Sequence, residues 1–297
     1  MSAAPASGTV VAAFGRETLV RADDGELLQA TARNRRTQPV CGDRVLLSGV
    51  GGGRAVIEAL DPRRSVFSRS SQHRTKVLAA NITQVVILVA CEPSFSDELM
   101  CRFLVAAENA GLPALLVLNK VDLADLRDRA LVALEPFRGL GYPLIELAGM
   151  RDAQPLLAYL HRHRSLLAGQ SGMGKSSLIK TLLPEAEVRI GEISRFLDSG
   201  RQSTTAARLY VLDEASEIVD TPGVSDFGLA GLEVQDIAAG FREFAAHAGR
   251  CRFQDCRHLV EPGCAVQHAA DSGAIHARRL QLYRRIVEQE HALRAER

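Results

Sequence analysis

The chain has 297 residues, 46% hydrophobic and 24% charged, which is enough for two or three compact domains and excludes a disordered chain. Its longest apolar stretch, Ile82 to Cys91, contains Thr83 and Gln84 and is too short to span a bilayer, and no positive n-region opens the chain, so a cytoplasmic protein without membrane association is expected. The net charge of +1 conceals an acidic middle (14 Lys and Arg against 21 Asp and Glu over 77–241) between basic ends (12 against 7 over 1–76, 10 against 7 over 242–297).

Basic flanks suit a polyanionic partner, although solvated surface charge gives the same count. Arg supplies 32 of the 36 cations, which favours forked contacts to phosphates and base edges.

Residues 8–60 predict short strands, "TVVAAF", "ETLVRA", "ELLQATAR", "DRVLLSG" and "RAVIEAL", punctuated by the turn signals "ADDGE" and "GVGGGR". Five strands in so short a stretch predict a small barrel, of the oligonucleotide-binding (OB) or the SH3-like type. The polar, Arg-rich stretch 61–76 has the composition of a linker.

From residue 81 the pattern changes to apolar strands alternating with helices: "ITQVVILVA", a helix over 97–110, "PALLVLNK", a helix over 122–138, "YPLIELAG", a helix over 152–162, and "RSLLAG". Near-continuous apolar strands separated by helices predict a doubly wound α/β sheet. Asn119, Lys120 and Asp122 sit at the C-terminal end of one such strand, where open α/β sheets bind ligands. A carboxylate at Asp122 can accept from the ring N–H and exocyclic amine that guanine presents side by side. Adenine lacks that pair, and a buried acceptor without donors costs enough to enforce base choice.

Gly169-x4-Gly174-Lys175-Ser176 follows a strand and opens a helix, the context a P-loop requires. Backbone N–H groups from Gly169 through Gln170, Ser171, Gly172, Met173 and Gly174 to Ser177 would wrap phosphates. Lys175 would reach the β- and γ-phosphates, and the Ser176 hydroxyl would ligate Mg2+. Downstream, "DSGRQSTTAARLYVL" offers Thr204 and Thr205, with Thr205 preferred as the second magnesium ligand. Asp220, Thr221, Pro222 and Gly223 follow a strand as the second metal-linked motif of GTPases does, the Asp reaching Mg2+ through water and the Gly223 N–H meeting the γ-phosphate. Val224 stands where many GTPases carry a water-orienting glutamine, so slow intrinsic hydrolysis is expected.

Cys251, Cys256, His258 and Cys264 supply three thiolates and one imidazole, a closed tetrahedral set for one structural zinc ion. Cys41, Cys91 and Cys101 fall in strand or helix patterns and are expected as buried thiols, whereas His247, His268 and His276 lie off the ligand spacing. A terminal helix over about 273–295 carries Arg278, Arg279, Arg284 and Arg285, which would face RNA or solvent.

The base-reading loop thus precedes the P-loop, the reverse of the ordinary GTPase order. A site depends on which strand ends are neighbours in space, so a sheet cut at one loop and rejoined at another preserves it, which is circular permutation. Taken together, "VLAANITQVVILVA", "VLNKVDL", "GQSGMGKSSLI", "STTAARLY", "DTPGVSDFGL" and "CRFQDCRHLVEPGC" resemble, in order and over nearly the whole chain, the circularly permuted small ribosomal subunit biogenesis GTPase A of bacteria.

The resemblance implies an OB-fold-like barrel over 1–64, a linker over 65–80, a permuted GTPase domain over 81–231 and a mainly helical zinc-binding domain over 232–297. It also implies GTP hydrolysis stimulated by the small subunit in late maturation, with rRNA, GTP and GDP as partners of a monomer. Two positions depart from that family's pattern: Gln202 stands where a histidine is usual, and Leu147, Ala148 and Gly149 replace the common base-side pair. Gln202 becomes the candidate for positioning the attacking water.

Overall fold

The computed structural model describes residues 6–15, 17–34, 37–70, 75–148, 151–184, 207–221, 227–229 and 231–295, with side chains to residue 292. The first five strands are β1 (Ala6–Phe14), β2 (Glu17–Ala22), β3 (Leu27–Ala32), β4 (Arg44–Gly51) and β5 (Arg54–Leu60). They pair in the order β1-β2-β3-β5-β4, and β4 returns to β1. Closure removes the sheet edges and surrounds a core of Val10, Val20, Leu28, Val45, Leu47 and Ile57. This is the OB-type barrel.

The stretch whose composition suggested a linker is instead a hairpin, β6 (Val66–Ser70) with β7 (Thr75–Ala80). Its Arg and Ser residues conceal a large apolar anchor, Phe67, which is 1% exposed and lies in the main core with Ala79 of the second strand.

The second body is a parallel sheet of β10 (Leu144–Leu147), β9 (Ala114–Asn119), β8 (Gln84–Ala90), β11 (Arg164–Ala168) and β13 (Glu217–Asp220), in that spatial order, with β12 (Arg208–Val211) antiparallel at its end. Every residue of β8 is buried. Val85, Ile87 and Val89 pack with Met100, Phe103 and Leu104 of α1 (Asp97–Asn109) on one face. Val86 and Leu88 pack on the other with Leu156 and Leu160 of α3 (Gln154–Leu160) and Leu178 and Ile179 of α4 (Lys175–Leu182). Two covered faces are why β8 reads as an unbroken apolar run. The helix expected over 122–138 is α2 (Ala124–Leu134) followed by a 3-10 turn that contains Pro136, a residue the interior of an α-helix would not accept.

β12 also pairs with β1, through Ala12 and Arg208, so the GTPase-like sheet continues into the barrel. Glu217 reinforces the junction by accepting from Arg21 and from Arg164, each at 2.6 Å.

The C-terminal region holds α5 (Val234–Ala239), α6 (Ala265–Asp271) and α7 (Ala277–Ala295). Gly273, at φ +80°, turns the chain after α6, so the helix expected from residue 273 begins at Ala277. Of the α7 arginines, Arg279 is buried, whereas Arg278, Arg284 and Arg285 pair inward and keep part of their surface in solvent, the Arg285 side chain remaining 61% exposed. Arg279 is fully buried against Glu243 at 2.6 Å, and Arg278 forks onto Asp97 at 2.7 and 3.0 Å. Arg285 reaches Glu98 at 2.8 Å, and Arg284 donates to the His258 carbonyl and to Gln267. The acids that meet Arg278 and Arg285 lie in the first turn of α1, so these charges dock the helix on the central body.

Candidate nucleotide site and metal centre

β8, β9, β11 and β13 run parallel, so Asn119, Gly169 and Asp220 leave the same edge of the sheet although they are far apart in sequence. Two glycines let the turn after β11 fold tightly. A Cβ on Gly169 would lie 2.4 Å from the Leu88 carbonyl oxygen, and one on Gly174, at φ +96°, would lie 2.5 Å from Asn119 Nδ2. The second contact joins the two motifs: Asn119, 3% exposed, donates from Nδ2 to the Met173 carbonyl at 2.9 Å. Lys120, at φ +61°, donates from Nζ to the carbonyls of Gly172 (2.9 Å) and Glu92 (2.6 Å).

Gly174 caps α4, and Lys175 turns back to donate to the carbonyls of Gly169 (2.7 Å) and Gln170 (3.0 Å). Burial lowers the pKa of the Lys175 ammonium, and the negative charge of Asp220 opposes that shift. Ser171 and Ser176 are exposed, Ser177 is half-buried, and the Met173 side chain is buried in the core below. Asp122 is about one-third exposed, 3.9 Å from Arg151. Its placement leaves the carboxylate open to a ligand.

Asp220 ends β13, and its Oδ1 is buried with no hydrogen-bond partner among the described residues. Desolvation raises its pKa to about 6, against the pull of Lys175 and Arg208. A buried carboxylate oxygen in that condition calls for a cation or a cation-bound water. Thr221 fixes the start of the following loop by donating to the Leu167 carbonyl at 2.9 Å. Gln202, Thr204, Thr205, Gly223 and Gly149 lie outside the described residues.

Some supporting contacts carry no sequence signal. Gln170 Oε1 accepts from the Ser96 N–H at 3.1 Å, and Pro93 packs where a Cβ on Gly172 would sit. Both partners come from the loop after β8, which no motif marks.

In the C-terminal region, one ligand atom from each of Cys251, Cys256, His258 and Cys264 lies within 4.8 Å of all the others. His258 Nδ1 stands 3.6, 3.6 and 3.3 Å from the three sulfurs. The N–H groups of Ala265 and Gln267 point at Cys251 and Cys264 sulfurs at 3.3 and 3.4 Å, donors that stabilise thiolates. Burial lowers the pKa of His258, which favours the neutral, metal-binding imidazole. The cluster can hold a metal ion. Cys41, Cys91 and Cys101 are buried free thiols, as expected.

A family model described as RsgA GTPase matches residues 60–230. The Small ribosomal subunit biogenesis GTPase RsgA of Nitrosospira multiformis is 46% identical over 283 residues, covering 95% of this chain and 90% of the relative. The protein of that name from Bordetella pertussis is 44% identical over 298 residues, covering 99% of each. Among solved structures, YjeQ from Thermotoga maritima aligns with a TM-score of 0.73 at 28% identity, over 97% of this chain and 98% of that one. YloQ, described as a circularly permuted GTPase, aligns at 0.70 and 23% identity over 99% and 96%, a likeness of fold.

Proposed function

The chain belongs to the RsgA GTPase family, and from that premise we propose that it binds GTP and GDP, hydrolyses GTP, and acts on the small ribosomal subunit during late maturation. The observation that carries the nucleotide reading is the pair of hydrogen bonds from Asn119 and Lys120 to Met173 and Gly172, which bind a base-reading loop to a phosphate-binding turn.

In this reading Asp122 accepts from guanine, while Asn119 and Lys120 hold the loop. The N–H groups from Gly169 to Ser177 surround the phosphates. Lys175 exchanges its two carbonyl acceptors for β- and γ-phosphate oxygens, so the turn keeps its lysine engaged before the ligand arrives. Ser176 and Thr205 would hold Mg2+, with Asp220 behind a bound water, and the bare Oδ1 of Asp220 supports that role. The ion would neutralise charge on the phosphates. Gly223 would contact the γ-phosphate and Gln202 would orient the attacking water.

The cysteine and histidine cluster would hold one structural zinc ion, for which three sulfurs and one nitrogen are the ordinary set. The basic end regions would contact rRNA. The exposed Arg250, Arg252 and Arg257 around the cluster, together with the exposed Arg285 of α7, carry that charge in the C-terminal region. No helix among the described residues is long and apolar enough to cross a membrane. A cytoplasmic monomer is the accompanying proposal.

The deciding experiment compares GTP hydrolysis by the purified protein with and without isolated small subunits. A strong rise with subunits is expected, and equal rates would refute the reading. If Gln202→Ala left the stimulated rate unchanged, the water-positioning group would come from the partner.

A further inference from the structure

The loop that carries Asp122 is tied to the turn that follows the neighbouring strand. β10 lies parallel to β9 with Leu147 in register with Asn119, and the Val121 N–H donates to the Leu147 carbonyl at 3.2 Å. Beyond β10 the chain doubles back at once. The N–H groups of Arg151 and Asp152 both donate to the Ala148 carbonyl, at 2.6 and 3.1 Å, and Ala148 and Asp152 form a bridge. Asp152 then accepts from the Gln154 N–H at 2.9 Å, which fixes the entry to α3. This turn carries Arg151 to the side of Asp122, with its Nη2 3.9 Å from Asp122 Oδ2.

That separation is too long for a hydrogen bond, and an ion pair whose arginine is 77% exposed contributes little to stability. The other acid nearby, Glu146, is already held by Arg127 in a fork of 2.5 and 3.0 Å. Among the described residues, the side chains of Asp122 and Arg151 make no hydrogen bond. An open acceptor and an open set of donors therefore stand side by side at the edge of the sheet where the base-reading loop lies.

Guanine matches that pair in order along its rim. The N1–H and the 2-amine are donors, suited to the Asp122 carboxylate. O6, next to N1–H, and N7 beyond it are acceptors, which a guanidinium meets with its fork. Adenine presents an amine in place of O6, so donor would face donor.

We propose that Arg151 is a specificity-determining residue: it reads O6 and N7 of the base while Asp122 reads the N1–H and the 2-amine. The inference rests on the reading of Asp122 as the guanine acceptor and deepens it. Only the forked end of the side chain has to leave the carboxylate when the base arrives, because the Ala148 carbonyl holds the backbone of the turn.

The test is a thermodynamic cycle on the full chain, in which GDP and 6-thio-GDP compete with labelled GDP. The thio analogue keeps N1–H and the 2-amine and replaces O6 by sulfur, a weak acceptor. Wild-type protein should prefer GDP. Arg151→Ala should weaken GDP by about fivefold or more and 6-thio-GDP by less than about twofold, so the preference for GDP shrinks. Arg151→Lys, which keeps a charged donor and loses the fork, should fall between the two. Equal losses for both nucleotides would overturn the inference, since a general charge or a support of the turn acts on both alike. An Arg151→Ala protein with the wild-type Kd for GDP would overturn it as well. In either case a wild type that binds GDP leaves the proposed function standing, whereas a wild type that binds neither guanine nucleotide refutes that function and this inference with it.

Discussion

Replacing Asn119 by Ala removes the donor that holds the Met173 carbonyl from inside the phosphate-binding turn. The site is 3% exposed, so water does not freely replace the lost partner. An acceptor left unsatisfied in such a place costs about 1–3 kcal/mol. The amide also occupies the space beside Gly174, 2.5 Å from where a Cβ would stand, so its loss leaves the turn free to relax away from β9. A bound nucleotide must then restore the shape, and the cost appears as affinity: roughly a 5- to 150-fold weaker Kd for GDP, since about 1.4 kcal/mol is tenfold. Fluorescence titration with labelled GDP measures this directly, with a thermal melt to establish that the variant is folded. A folded Asn119→Ala protein with a Kd within twofold of wild type would refute the claim that this hydrogen bond organises the turn.

Asp220 titrates near 6 when folded, against an ordinary 3.8, so the folded protein binds the extra proton between those values and the buried charge weighs against folding above pH 6. Asp220→Asn should therefore raise the melting temperature of the nucleotide-free protein at pH 7.5, by up to about 3 kcal/mol of stability, and not at pH 3.5. An equal effect at both pH values would contradict the burial account. Arg279→Met leaves Glu243 buried without its partner and should cost about 3–5 kcal/mol in chemical denaturation, with most of it recovered by adding Glu243→Leu. A single variant within about 1 kcal/mol of wild type would mean that Arg279 is solvated.

The sheet and the glycine turn at its end were legible because their signals are local. Six of the seven residues of β8, Val85 to Ala90, are apolar because both faces are covered, and the glycines at 169 and 174 are required by backbone and side-chain approaches of about 2.5 Å. The hairpin at 66–80 was not legible, since Phe67 is the one large buried side chain of its first strand and the buried Ala79 and Ala80 are adjacent, which gives no alternation for a strand reading to detect. The inward pairing of Arg278 and Arg285 was hidden for a different reason. Asp97 and Glu98 lie about 180 residues upstream, and nothing local to a basic helix marks distant acids as its partners. The continuation of the sheet from β12 into β1 rests on one register pair, Ala12 with Arg208, which composition does not encode.

The central claim, that Asp122 and the Gly169–Ser177 turn meet one guanine nucleotide, is tested most directly by base competition. Guanine offers an amine where xanthine offers a carbonyl, so exchanging the acceptor for a donor at this position should exchange the preferred base. Wild-type protein should bind GDP and ignore XDP and ADP, and Asp122→Asn should prefer XDP. An Asp122→Asn protein that still selects GDP would contradict the account.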